Sequence, residues 1–148
     1  VATLLSDKFA EFDAAIKPSI KVSLVIELQV ADVFTDMEAF MVAKKAVQKM
    51  GYRVCLDGLT SLSFSQVDRE QLGFDLAKLQ WNASAENELN SKENKAVTEA
   101  VRRTGANRII LCRCDNRQAI EYDHAMGISL FQGHYIDKLV DPNAKVEN

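Results

Sequence analysis

Long apolar runs are missing from this chain. A helix that spans a bilayer needs about 20 consecutive apolar residues. The longest mostly apolar run here covers residues 22–28 and has the length and β-branched content of a buried strand. A charge excess of one sign is missing too. Eighteen Lys and Arg against 21 Asp and Glu leave a net charge of −3, and the cations are scattered. That pattern argues against a nucleic-acid groove and against a polybasic membrane anchor. Cysteine is sparse: three residues, an odd number, do not make a disulfide framework. Cys55 and Cys112 lie in apolar, strand-like runs, where a thiol behaves as a small hydrophobe. A reducing cytoplasm is the expected compartment. No signal-peptide pattern, fixed-period repeat or low-complexity tract is visible. The chain opens on Val1 rather than Met, so it is expected to be cut from a longer protein.

What is present is apolar residue in quantity, 47% of 148, enough for one domain with a sizeable core. That domain is expected over residues 1–140, with 141–148 a frayed tail or a link onward. Helical and strand-like signals alternate along it. An N-terminal helix over residues 4–16 ends at Pro18, and a strand follows over 20–28. Thr35 and Glu38 have capping-box spacing ahead of Met37, Phe40, Met41 and Val47, and Gly51 supplies a left-handed stop. A short apolar strand over 53–57 ends in Asp57, and another is expected over 74–78. Residues 81–94 read as a polar loop running into a helix that ends at Gly105 and feeds a strand over 108–112. Asn116 caps a further helix through Ile120 and Met126; Gly127 stops it before a strand over 128–131. Short apolar strands alternating with amphipathic helices predict parallel βαβ units. A doubly wound sheet and a β/α barrel both satisfy that pattern.

Chemistry in parallel α/β proteins sits at the C-terminal ends of the strands. Those ends read Glu27, Asp57, Lys78, Cys112 and Gln132. Converging on one face, they would make a pocket with two carboxylates, an ammonium and an amide, suited to a divalent cation or a phosphate. The competing reading is that each simply meets water. Cys112 and Cys114 share a face if the strand continues, which makes core packing a better reading than zinc, since no His is spaced to join them. His124 and His134 read as surface or hydrogen-bonding residues, and Trp81 as an aromatic bordering the core.

The order of five segments resembles the EAL domains, which hydrolyse cyclic-di-GMP. Residues 25–29 (VIELQ) are similar to the family strand L-E-L-T-E, and 51–63 (GYRVCLDGLTSLS) to its G-x-x-I-A-L-D-D-F-G-T-G-Y-S. Residues 74–80 (FDLAKLQ) resemble x-x-L-K-I-D, residues 110–118 (ILCRCDNRQ) fall at V-A-E-G-V-E-T, and 127–135 (GISLFQGHY) at the closing G-x-x-x-x-Q-G-Y. The resemblance implies an α/β fold, a partial TIM-like (β/α) barrel with mostly parallel strands. It covers the later part of a domain that takes roughly 250 residues when complete.

The family mechanism implied by the resemblance uses two Mg²⁺ or Mn²⁺ ions that activate a water. Carried over by position, Glu27 and Asp57 keep metal-binding carboxylates, Lys78 keeps the lysine beside the attacked phosphate, and Gln132 keeps the late glutamine. The second aspartate of the pair is Gly58, the aspartate after the lysine is Gln80, a glutamate is Cys112 and another is Val30. Too few anionic oxygens remain for two hard cations, and a thiol favours soft metals. The expectation is therefore no catalytic residue, no metal and no cofactor, with Glu27, Asp57, Lys78 and Gln132 a vestigial ligand site. The implied function is a non-catalytic signalling or protein-interaction module in a cyclic-di-GMP-related protein. The alternatives are a receptor that binds cyclic-di-GMP without cleaving it and an active phosphodiesterase. Open strand edges in a partial barrel are normally covered, so self-association as a dimer, or a first helix folded across the open side, is expected.

Overall fold

Each strand of the sheet after the first pairs with the strand before it in the chain. The computed structural model describes residues 1–19, 21–82, 92–124 and 126–141. Among them lie β1 (Val25–Gln29), β2 (Arg53–Leu59), β3 (Leu76–Gln80), β4 (Ile109–Cys112) and β5 (Leu130–Gln132). The sheet order is β1-β2-β3-β4-β5 and each pairing is parallel. A doubly wound sheet reverses direction at its switch point; this one never does. Right-handed crossovers then place the connecting helices on one face. The result is an arc of a (β/α) barrel, and it resolves the choice that strand–helix alternation left open.

Among the described residues the α-helices are α1 (Asp7–Ile16), α2 (Val30–Thr35), α3 (Met37–Lys49), α4 (Ser61–Gln66), α5 (Arg69–Leu72), α6 (Lys92–Thr104), α7 (Arg117–His124) and α8 (His134–Val140). The core forms where they meet the sheet. Val54, Leu56, Ala77, Leu79, Ile109 and Leu111 point outward to Phe40, Val47, Val97, Ala100 and Val101. Because side chains alternate along a strand, the intervening residues Glu27, Asp57, Lys78 and Cys112 share the inner face. At the edges that face is open: Val25 is 41% exposed and Leu130 39%.

Helix α1 joins the outer layer. Tyr52, at the foot of β2, donates its hydroxyl to Asp13 Oδ1 at 2.7 Å, and the rings of Phe9 and Tyr52 lie 5.5 Å apart. The side-chain hydrogen bond from Lys17 holds Asp13 below the usual carboxylate range, with the Tyr52 bond adding to it. The first helix is thus anchored at the foot of β2.

Several local expectations are corrected. Thr35 is the last residue of α2, and its hydroxyl donates back to Ala31 O at 2.9 Å. The cap of α3 is Asp36, which accepts from Ala39 N at 2.9 Å. A capping box does occur, at Thr60 and Ser63 on α4, with reciprocal bonds of 3.3 and 2.9 Å. Met41 is 38% exposed and lies off the core face of α3. Strand β3 starts at Leu76 because Asp75 is used beforehand: its Oδ2 accepts from Val54 N and from Gln48 Nε2, each at 2.9 Å. Asn116 caps α7 as expected, accepting from Ala119 N at 3.0 Å, but α7 ends at His124, before Met126. Ile20, most of the 81–94 loop and residues 142–148 of the tail lie outside the described residues.

Candidate functional site

Register brings the strand-end residues together. Glu27 is level with Cys55 on β2, and Cys55 with Leu76 on β3, so Lys78 stands one inward-facing step further up. Glu27 Oε1 reaches across β2 to Lys78 Nζ at 2.6 Å. Lys78 is only 8% exposed, whereas the Glu27 side chain keeps 46% of its surface in water. Burial alone would pull the Lys78 ammonium down. The hydrogen-bonded Glu27 carboxylate, with Asp57 nearby, outweighs it and holds Lys78 above the ordinary lysine value.

Asp57 owes its position to a bulge. Leu56 pairs with Ala77 and Leu59 with Leu79, so Asp57 and Gly58 together face a single β3 residue, Lys78. Gly58 makes the bulge possible: its φ is +81°, a region that side-chain-bearing residues rarely enter. The Asp57 carboxylate is then held from both sides. Oδ1 accepts from Gly58 N at 2.7 Å and Oδ2 from Gln29 Nε2 at 2.7 Å.

Gln132 lies level with Cys112 across the β4–β5 pairing, and its Oε1 accepts from the Cys112 thiol at 3.9 Å. The following Gly133 is required by close approach. A Cβ there would lie inside contact distance of the Cys114 backbone. That approach is built from Cys114 N donating to Gln132 O and Tyr135 N donating to Cys114 O, each at 3.1 Å. Arg113, at φ +62°, turns the chain out of the strand direction between the two cysteines. Cys112 therefore faces the inner side while Cys114 is buried in the outer core. The expectation that they share a face fails, because the strand ends at Cys112.

Above these residues is an open cleft of about 670 Å³, within the range of about 300–1,000 Å³ usual for small-molecule sites. Asp57, Lys78, Gln80, Cys112 and Gln132 form its floor, and Arg113, Asp115 and His134 stand on its wall. Three of the four proposed ligand residues thus line one cleft, and the fourth, Glu27, is ion-paired to one of them. His134 is on the mouth, its backbone N donating to Asp115 Oδ1 at 3.3 Å; His124 is exposed on α7. Trp81 packs against the core, as an aromatic bordering it should. Gln29 was not singled out from sequence, although standing two residues beyond Glu27 on a strand is a signal for a shared face. Arg113 carried no such signal, since its backbone turn depends on the packing of β5.

The donor set does not fit a pair of hard cations. Both Asp57 oxygens accept from N–H groups, and Glu27 is turned onto Lys78. Burial pushes the Cys112 thiol up to about 11 and the Cys55 thiol up to about 12, so both are protonated at neutral pH. Among the described residues no three His, Cys, Asp or Glu side chains are grouped to hold a metal ion. Nor is any described helix long and apolar enough to cross a membrane.

No family model matches the chain, and no curated protein sequence does. Among solved structures it is similar to the Bacillus subtilis YkuI protein, with an EAL domain, in complex with substrate c-di-GMP and calcium. The identity is 20% and the TM-score 0.68, over 96% of this chain and 34% of that one. The chain thus spans about a third of the length of that structure. At this identity the likeness is one of fold, and it agrees with the barrel arc read from the strand order.

Proposed function

We propose that this chain is a non-catalytic EAL-like module of a cyclic-di-GMP-related protein, working through contact with protein partners or with itself. One observation carries the reading: the charged groups at the strand ends satisfy one another. Lys78 is neutralised by Glu27, and Asp57 is held by the Gln29 amide and the Gly58 N–H. A two-metal hydrolase needs several carboxylate oxygens converging on ions about 4 Å apart; among the described residues no three His, Cys, Asp or Glu side chains are so grouped. The cytoplasm is the proposed compartment, in keeping with three cysteines and no disulfide among the described residues. The test is hydrolysis of cyclic-di-GMP by the full protein in Mg²⁺ and in Mn²⁺. No linear product is expected, and sustained turnover lost on Asp57→Asn would overturn the proposal. Self-association is supported by the sheet edges, where β1 pairs with β2 alone and β5 with β4 alone among the described residues. Light scattering should report a dimer; a monomer at high micromolar concentration would remove that part.

A receptor is the second reading, favoured by the 670 Å³ cleft lined by Lys78, Arg113 and Gln132. Such a site could take a phosphate on Arg113 and a base edge on Gln132 without metal. Calorimetry with cyclic-di-GMP on the full protein decides it. Binding weakened at least tenfold by Arg113→Ala would support the receptor, and no heat at high micromolar ligand would remove it.

A further inference from the structure

Three features meet at the head of β1 and β2. Gln29 lies level with Asp57 in the parallel register. Its Nε2 donates to Asp57 Oδ2 at 2.7 Å, and its Oε1 lies 2.7 Å from where a Cβ on residue 58 would stand. Residue 58 is a glycine at φ +81°, so it places no side chain in that space. The Gln29 carboxamide therefore fills the volume beside Asp57 and presents an N–H donor where a cation-binding site would present a second anionic oxygen.

We infer that Gln29 controls whether Asp57 takes a divalent ion, a neutral side chain that keeps such ions off its carboxylate. A lone carboxylate already accepting two hydrogen bonds is a poor ligand for a hard cation, which wants several anionic oxygens at once. Glutamate at position 29 has nearly the shape of glutamine but the opposite effect. It would set a second carboxylate oxygen against Asp57 Oδ2, and two carboxylates in hydrogen-bond contact cannot both stay ionised unless something positive lies between them. Glu27, two residues away on the same strand face, adds a third carboxylate beside them, facing Lys78. One substitution thus turns a satisfied amide–carboxylate contact into a site that calls for a cation.

The inference deepens the non-catalytic reading, yet the two fail separately: turnover would overturn that reading, metal binding without turnover only this one. The experiment is titration of the full protein with Mn²⁺, read by electron paramagnetic resonance and by the melting temperature in millimolar Mn²⁺. Wild type should bind no Mn²⁺ below millimolar concentration and show no thermal shift. Gln29→Glu should bind at least tenfold more tightly, melt higher with Mn²⁺ than without, and lose both effects in the Gln29→Glu/Asp57→Asn double variant. If Gln29→Glu does not fold, Gln29→Ala serves, since removing the amide should raise Mn²⁺ affinity above wild type in a manner lost with Asp57→Asn. Folded variants that bind no better than wild type would overturn the inference. So would micromolar Mn²⁺ binding by wild type that Asp57→Asn abolishes.

Discussion

Removing the Glu27 charge tests the central electrostatic contact of the cleft. Lys78 is 8% exposed and its ammonium has Glu27 Oε1 at 2.6 Å. Glu27→Gln keeps the shape and removes the counter-charge. Breaking a fully buried pair from one side costs about 3–5 kcal/mol, because the remaining charge is left uncompensated. Here the Glu27 side chain is 46% exposed, so water screens the pair and the cost falls to about 1–2 kcal/mol. In a domain of this size that is roughly a 2–8 °C drop in melting temperature. Lys78→Met should cost less than Glu27→Gln, since it strands only a half-hydrated carboxylate. The double variant should fall short of the sum of the two, because the second change removes a charge that no longer has a partner. The pH dependence has a definite sign. The folded-state pKa of Lys78 is raised, so the stabilisation is fully present below the ordinary lysine value of about 10.4 and is lost as pH climbs above it. Chemical denaturation of the four proteins at pH 7 and at pH 11 supplies every number. Additive effects at pH 7, or a Glu27→Gln cost unchanged at pH 11, would refute the reasoning.

Three further expectations use other parts of the site. Gly133→Ala should destabilise by about 2–3 kcal/mol in denaturant unfolding, because its Cβ meets the Cys114 backbone rather than a flexible side chain. Arg113→Gly should leave stability unchanged or raise it by up to about 1 kcal/mol, since relief of the φ +62° strain is set against the greater freedom of the unfolded chain; a clear loss would mean that the Arg113 side chain holds the loop. Cys112, pushed up to about 11, should be roughly a thousandth thiolate at pH 8. Iodoacetamide labelling followed by mass spectrometry should therefore be slow in the folded protein and speed up as pH approaches 11, whereas rapid labelling at pH 8 would contradict the burial.

Much of this architecture is local and could be read along the chain. The apolar runs of β2 and β4, the helix ending at Gly105 and the Asn116 cap each rest on residues a few positions apart, so spacing alone reveals them. The C-terminal ends of the strands were legible within two residues, though β1 starts five residues later than expected, and that sufficed to name Glu27, Asp57, Lys78 and Gln132 as neighbours. The two-residue shift of β3 was not, because Asp75 is spent on Val54 N, a partner 21 residues away. Thr35 and Glu38 had capping-box spacing, but α2 claimed the Thr35 hydroxyl first. A local motif is only as good as the absence of a competitor, and competitors are decided by the chain on either side.

By itself, the sequence determined that short apolar strands alternate with amphipathic helices and that single polar groups close the strands, because both follow from the residue order. Only the tertiary structure decided that the strands run in order across the sheet, which turns alternation into a barrel arc with one open inner face. It also decided what the strand-end groups do with one another. Glu27 meets Lys78 across an intervening strand, and Gln29 meets Asp57 only because a bulge at Gly58 turns the carboxylate toward it. Those contacts depend on register between segments 28 to 51 residues apart, and register is set by packing across the whole sheet.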